Sequence, residues 1–202
     1  SRHNVFIGLT AGKQGTGKTD NVALGYNALA GRAASDSADG NVAIGYNAAN
    51  QSLNASYTVA LGYNAVAGNA SSGFSGRGNI GIGRDTISNL GTSGGAYNIA
   101  IGYYAGQGIQ SGDANIIIGS GSLGEAAMSN QLRIGNGNSF TLISGSLSDG
   151  GVKIQGQVSA SSFIGDGSGL TNLPAATAGS TSGRVVFTTT DGALTTESGF
   201  EY

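Results

Sequence analysis

The amino-acid sequence predicts an all-β, repetitive solenoid, and three observations carry that prediction. Close variants of one stretch, Asn41-Val42-Ala43-Ile44-Gly45-Tyr46-Asn47-Ala48, form eight units ending at Gly8, Gly25, Gly45, Gly62, Gly83, Gly102, Gly119 and Gly135, 16 to 21 residues apart. Repeats of this period mean stacked units, each burying its apolar surface only against its neighbours. In every unit the residues three and one before the glycine are aliphatic, which is strand spacing. The composition, 38 glycines and one proline in 202 residues with 10% charged, is far from the usual globular mixture.

Within a unit each column has a reading. The position four before the glycine is Asn4, Asn21, Asn41, Thr58, Asn79, Asn98, Asn115 or Gln131, and stacked amides can hydrogen-bond from rung to rung. The sixteen aliphatic residues, from Val5 and Ile7 to Leu132 and Ile134, share one face of a short strand and are expected to point into a core. Between them Ala23, Ala43, Ala60, Gly81 and Ala100 are small, while Phe6, Ile117 and Arg133 stand there in the outer units. That contrast implies crowding in the middle units and open space at the ends. The glycine turns the chain, because it alone takes positive φ without steric penalty. A return strand, such as Ala65-Val66-Ala67, is expected after it. No helix is expected, and the variable stretches between units, rich in Gly, Ser, Asn and Asp, belong at surface corners.

The repeat region spans 1–135. A connector follows over 136–174, where Val152, Ile154, Val158, Ala160, Ser162 and Ile164 alternate as a strand before glycines and the only proline, Pro174, break the chain. The last region, 175–202, holds Val185–Thr190, Asp191-Gly192 and Ala193–Ser198, the pattern of a two-residue β-hairpin. The opening at Ser1 without Met and the strand that stops at Tyr202 read as a piece of a longer polypeptide.

Several function classes lose their basis. The chain has no cysteine, hence no disulfide or thiolate metal site, and a formal net charge of −2 with no basic run, so nucleic acid is not an expected partner. No apolar run approaches membrane-spanning length, so no membrane insertion is expected. Gly12-Lys13-Gln14-Gly15-Thr16-Gly17-Lys18-Thr19 matches the phosphate-binding loop pattern, but that mechanism needs a helix N-terminus after the lysine, and the residues that follow are the second rung. His3, the only histidine, reads as a surface residue. Asp36 and Asp39 fit turn chemistry better than a calcium loop. No catalytic, cofactor or metal residues are assigned.

Two aromatic sets remain. Tyr26, Tyr46, Tyr63 and Tyr103 follow the turn glycine and should form one column, either a packing feature or a platform for sugar rings. Tyr57, Phe74, Arg77 and Tyr97 lie in the insertions without a repeat-level reason, which makes them the candidate receptor contacts. The aliphatic content is thin for the length, which favours lateral partners, with self-association the simplest source.

The units NVALGYNALAG, NVAIGYNAAN, TVALGYNAVAG and NIAIGYYAGQG resemble the head repeats of trimeric autotransporter adhesins of the YadA type. That resemblance implies a left-handed β-roll with three chains packed together. VKIQGQVSASSFIGDGSGLTNLP resembles a segment common in bacteriophage tail fibres, and RVVFTTTDGALTTESGFEY resembles what precedes their self-cleaving intramolecular chaperone domain. The order of the three implies a homotrimeric fibre segment with a β-rich neck, a non-enzymatic structural part of a phage tail fibre that supports host attachment. The partners implied are its own copies, other fibre or tail proteins, and a host surface glycan or protein; the location is the extracellular virion. The alternatives are a bacterial trimeric adhesin head on the cell surface and a fibre-borne polysaccharide depolymerase. An ice-binding solenoid would need a column of Thr, which the rungs lack.

Overall fold

A computed structural model describes residues 3–13, 17–31, 38–68, 73–91, 94–121, 124–137 and 140–159. The chain divides into two compact units, Ser1–Val158 and Ser159–Tyr202. Apart from Ser159 the described residues belong to the first, and the predicted break at 165–174 and hairpin over 185–198 lie outside them.

Ten strands form one sheet in chain order: β1 (Val5–Ile7), β2 (Val22–Leu24), β3 (Val42–Ile44), β4 (Val59–Leu61), β5 (Ile80–Ile82), β6 (Ile99–Ile101), β7 (Ile116–Ser120), β8 (Gln131–Asn136), β9 (Phe140–Ser146) and β10 (Val152–Ile154). From β1 to β8 each strand pairs in parallel with the next, equivalent residues opposite one another: Val22 with Val42, Ala43 with Ala60, Leu61 with Ile82. This is a β-solenoid of eight rungs, and the described residues contain no helix. Where the sequence period ends, β9 folds back antiparallel on β8, with an irregularity at Ile134/Gly135, and β10 folds back on β9. β9 thereby occupies the edge of β8 that a ninth rung would have needed. The connector strand expected from Val152 onward forms only as far as Ile154 among the described residues, and β9 has no counterpart in the sequence-based expectation.

The turn glycines hold the rungs at their spacing. Gly25, Gly45, Gly62, Gly83 and Gly102 all have φ between 125° and 135°. A Cβ on Gly62 would stand 2.5 Å from the Gly83 carbonyl oxygen, and one on Gly45 would stand 2.3 Å from that of Gly62. Glycine is therefore required twice, for its backbone conformation and for the carbonyl lying against it.

The amide column stacks as the sequence implies. Asn21 donates to Asn4 Oδ1 through its backbone N–H (2.9 Å) and Nδ2 (3.0 Å), and Nδ2 also donates to the Ala38 carbonyl (2.7 Å). Asn41 repeats this on Asn21, Asn98 on Asn79 and Asn115 on Asn98. Asn21, Asn41, Asn79, Asn98 and Asn115 are fully buried, so each satisfied amide avoids the penalty of a buried unpaired polar group. Thr58 interrupts the ladder. Its N–H donates to Asn41 Oδ1 (2.8 Å), but its hydroxyl is buried without a hydrogen-bond partner, and it has no carboxamide to pass on.

The aliphatic columns do not fill the interior, contrary to the expectation from their number. Ala23, Ala43, Ala60, Gly81, Ala100 and Ile117, the residues between them, are the ones that point in and are buried. Val22, Leu24, Val42, Ile44 and their equivalents lie on the outer face, half-buried or exposed. The coil is simply too narrow for two large aliphatic side chains per strand. Opposite the small column stand Leu29, Ala49, Val66 and Ile87, six residues further on and fully buried, and sizes compensate between rungs. A Cβ on Gly81 would be 2.5 Å from Val66 Cγ2, and one on Gly106 would meet Ile117 Cδ1 at 3.4 Å. Ile117 is thus not at an open end: it is wholly buried, in space that Gly106 leaves clear. Longer rungs add core residues from the insertions, Ala55, Phe74, Leu90 and Ile109, so these stretches are not confined to the surface.

The return strand is also replaced. Residues after the glycine form successive turns in which every second residue has positive φ, as at Asn64 (53°) and Val66 (47°), or Asp85 (54°) and Ile87 (43°). Alternate amides then bond to the rungs on either side: Asn64 N–H to the Tyr46 carbonyl (2.8 Å) and Val66 N–H to that of Thr86 (2.8 Å). The left-handed conformation carries a penalty of about 1–2 kcal/mol for Leu29, Val66 or Ile87, which burying such a side chain, about 1.5–3 kcal/mol, offsets.

Two stability outcomes follow from these columns. Gly62→Ala should lower stability by about 2–5 kcal/mol, from left-handed strain and overpacking together, whereas Gly91→Ala, whose Cβ would meet only the Gln110 carbonyl at 3.6 Å, should melt near the parent temperature. Thr58→Asn restores the missing amide and should add about 1 kcal/mol. Thermal melts check both, and a Thr58→Asn protein that melts lower would mean that the rung cannot accept the ladder.

Candidate functional site

With the core small and the aliphatic residues outside, three features of the outer surface can engage a partner. The first is the sheet face itself. Ile7, Ile44, Ile82, Ile101 and Ile118 are all exposed, in line, one before each turn glycine, and the valine or isoleucine two residues earlier in each strand lies beside them, half-buried in the middle rungs. No polar residue interrupts either column between Val5 and Ile134. A continuous apolar face of this kind marks an interaction surface rather than scattered exposure.

The second feature is the tyrosine column, which borders that face at the turn. The rings of Tyr26 and Tyr46 stack with centroids 5.1 Å apart, and those of Tyr46 and Tyr63 with centroids 5.0 Å apart and planes within 4°. In the next rung Arg84 takes the tyrosine's place, its guanidinium 5.3 Å from the Tyr63 ring and 5.7 Å from that of Tyr103. The column is thus continuous across a rung that lacks the aromatic residue. Asp85 anchors it, accepting from Arg84 Nε (3.0 Å) and Asn64 Nδ2 (2.8 Å). The Tyr103 phenol, and after it Tyr104 and Asp85, push the guanidinium above its ordinary pKa. Because the ring faces of Tyr26, Tyr46 and Tyr63 are turned on one another, a platform for sugar rings is not formed in the column's interior.

The third feature gathers most of the predicted receptor contacts. Tyr57, Arg77 and Tyr97 are exposed on three consecutive rungs. Tyr57 and Tyr97 stand directly before the amide column, so they do have a place in the repeat, and Tyr97 N–H donates to the Arg77 carbonyl (2.9 Å). Phe74 does not join them. Its side chain is completely buried in the hydrophobic core, where its rung is longer and needs filling, so it is a packing residue.

The phosphate-loop pattern takes a different form from a nucleotide site. Lys18 is buried, and its Nζ donates to the carbonyls of Leu29 (2.8 Å), Gly12 (3.4 Å) and Lys13 (3.4 Å). Its charge is met by the coil's own carbonyls, that of Lys13 also accepting from the Gly31 N–H. His3 is exposed with Nδ1 3.0 Å from Asp20 Oδ1, and Asp39 Oδ1 accepts from Thr19 N–H and Oγ1, both at 2.8 Å, while Asp36 lies outside the described residues. Among the described residues no cluster of three or more His, Cys, Asp or Glu side chains could hold a metal, and no helix is long and apolar enough to cross a membrane. An open polar cleft on β8–β10 includes Arg133 and Lys153, and Arg133 pairs with Glu125 at 3.5 Å.

No family model, curated protein or solved structure matches the chain. Its function therefore has to be argued from these surfaces.

Removing one member of the tyrosine column tests what holds it. Tyr46→Ala deletes two stacking contacts and should destabilise by about 1–3 kcal/mol, at 0.5–1.5 kcal/mol for each aromatic pair. A melt unchanged from the parent would show that the stack contributes nothing to the coil.

Proposed function

We propose that the chain is a structural segment of a phage tail fibre, three copies packed side by side along their apolar sheet faces, and that it supports attachment to the host surface. The observation that carries this reading is the aliphatic face, complete from β1 to β8 although the coil's own interior makes no use of it. A narrow coil that leaves two aliphatic columns outside in every rung is a subunit shape, since the buried apolar area it lacks must come from neighbours. The phage-like order of rung motif, connector motif and terminal motif gives the biological setting, the virion, with other fibre or tail proteins at either end.

The reading is non-enzymatic. Rigid stacked rungs suit a spacer that holds recognition surfaces away from the particle, and the exposed insertion residues are the contacts offered to a host glycan or protein. The rung motif alone equally favours a bacterial adhesin head, which would carry the coil into a coiled-coil stalk and membrane anchor. A depolymerase would release reducing sugar from host polysaccharide.

Native mass spectrometry and cross-linking test the assembly. A trimer is expected at micromolar protein, and Ile82→Asp, which puts three charges into the proposed interface, should dissociate it, whereas Ser75→Asp on an exposed insertion should not. A stable monomer of the parent chain, or an unaffected Ile82→Asp trimer, would contradict the reading. Immunolabelling of particles with antibody to this segment tests the setting.

A further inference from the structure

Tyr57 and Tyr97 are held in an unfavourable backbone conformation, both at φ 58°, while 63% and 59% exposed. Their column takes positive φ in every rung, and elsewhere it carries mostly residues that tolerate this, Gly40, Gly78, Asp20, Asn130 and His3, with the small Ala114 the one other exception. Leu29, Val66 and Ile87 bear the same strain, but their side chains are buried and the core benefits. Nothing comparable offsets it for two exposed tyrosines. An exposed aromatic residue kept where glycine would be easier is a marker of function.

The two rings also share one pose. Each lies in the space above the glycine of the preceding rung: a Cβ on Gly40 would meet Tyr57 Cδ1 at 2.8 Å and Cε1 at 3.0 Å, and one on Gly78 would meet the same atoms of Tyr97 at 2.8 and 3.1 Å. Gly40 and Gly78 thus seat the rings at low entropic loss on binding. The rings repeat by translation along the coil axis, two rungs apart, or about 10 Å at the usual strand spacing. Arg77 is exposed on the rung between them, in a neighbouring column that is polar apart from Ala96, with Asp39, Ser56 and Asp113 its other members nearby.

We propose that Tyr57 and Tyr97 are paired stacking sites for a linear polysaccharide lying along the coil axis, with Arg77 serving its polar groups between them. A ligand that meets two identical rings in translational register must itself repeat, and tyrosine offers a rigid amphipathic surface suited to the apolar face and rim hydroxyls of a sugar. The polar flank favours a hydroxyl-rich chain over another subunit. This rests on the host-attachment reading and specifies its ligand.

The test uses the assembled chain with Tyr57→Asn and Tyr97→Asn, singly and together, because asparagine accepts the left-handed conformation. Melting temperatures should stay level or rise. On an array of linear bacterial capsular and O-antigen polysaccharides, with their short fragments, the parent should retain long chains. Each single substitution should weaken that binding roughly three- to tenfold. The double variant should lose both factors, and fragments too short to reach both rings should respond to only one. Equal binding by the double variant and the parent, or no binding by the parent to any array member, would overturn the proposal. So would dissociation of the double variant, which would make the rings subunit contacts. Particle immunolabelling decides the fibre reading separately: labelled particles with ring-independent binding would remove this site and leave that reading standing.

Discussion

The contact on which the rest of the structure depends is that of one turn glycine against the carbonyl of the next. At Gly25, Gly45, Gly62 and Gly83 the backbones approach so closely that no side chain fits between rungs. This contact fixes the stacking distance, and the parallel strands and the buried asparagines beside them adopt the same step. Glycine alone would leave the turn free to open. The amide column closes it, each carboxamide tying its own rung to the carbonyl of the adjoining stretch as well as to the next amide. Repetition of sequence follows from this: a rung with another residue in the amide column, as at Thr58, still takes the backbone bond from Asn41 but has no carboxamide to continue the ladder.

From this tight step follows the inversion of the usual strand pattern. The strand residue facing the interior meets the turn segments of its own and the preceding rung, as Gly81 does with Thr86 and Val66, leaving room for alanine or glycine, while Ile117 sits against Gly106. Larger aliphatic residues then have only the outside. The same narrowness forces the return path into alternating left-handed turns, in place of a second strand, so that a short chain can circle back and still satisfy its amides. A coil built this way has a narrow core of its own and a large apolar outer face.

The rungs, their glycines, the amide ladder and the absence of helix in the described residues could all be read from the sequence, because each depends on residue identity at a fixed column. The facing of the strands could not be read from alternation, which defines two faces without saying which is inside. The crowding of the small column was legible, but its position inside the coil was not, since the aliphatic columns were expected there. Backbone conformation was hidden where the residue type disguises it: nothing in Val66 or Ile87 announces a left-handed φ. Phe74 appeared as a surface aromatic because insertions are usually external, yet it fills a widened rung. Tyr57 and Tyr97 were visible as unexplained aromatics, but their shared pose depends on Gly40 and Gly78, far from obvious partners in the chain. The gap in the tyrosine column at Arg84 became intelligible only when the guanidinium was seen between two rings.

The central claim is that the aliphatic face points out of the coil and is covered by neighbouring copies, and thiol labelling tests it most directly because the chain has no cysteine. Single cysteines at Ala43, Ile44 and Ser75 sample the interior, the outer sheet face and an exposed insertion. In the native assembly Ser75→Cys should react rapidly and Ala43→Cys hardly at all, with Ile44→Cys nearly as protected as Ala43→Cys. An Ile44→Cys thiol that reacts as fast as the one at Ser75 would show that the face is bare, and would contradict the account.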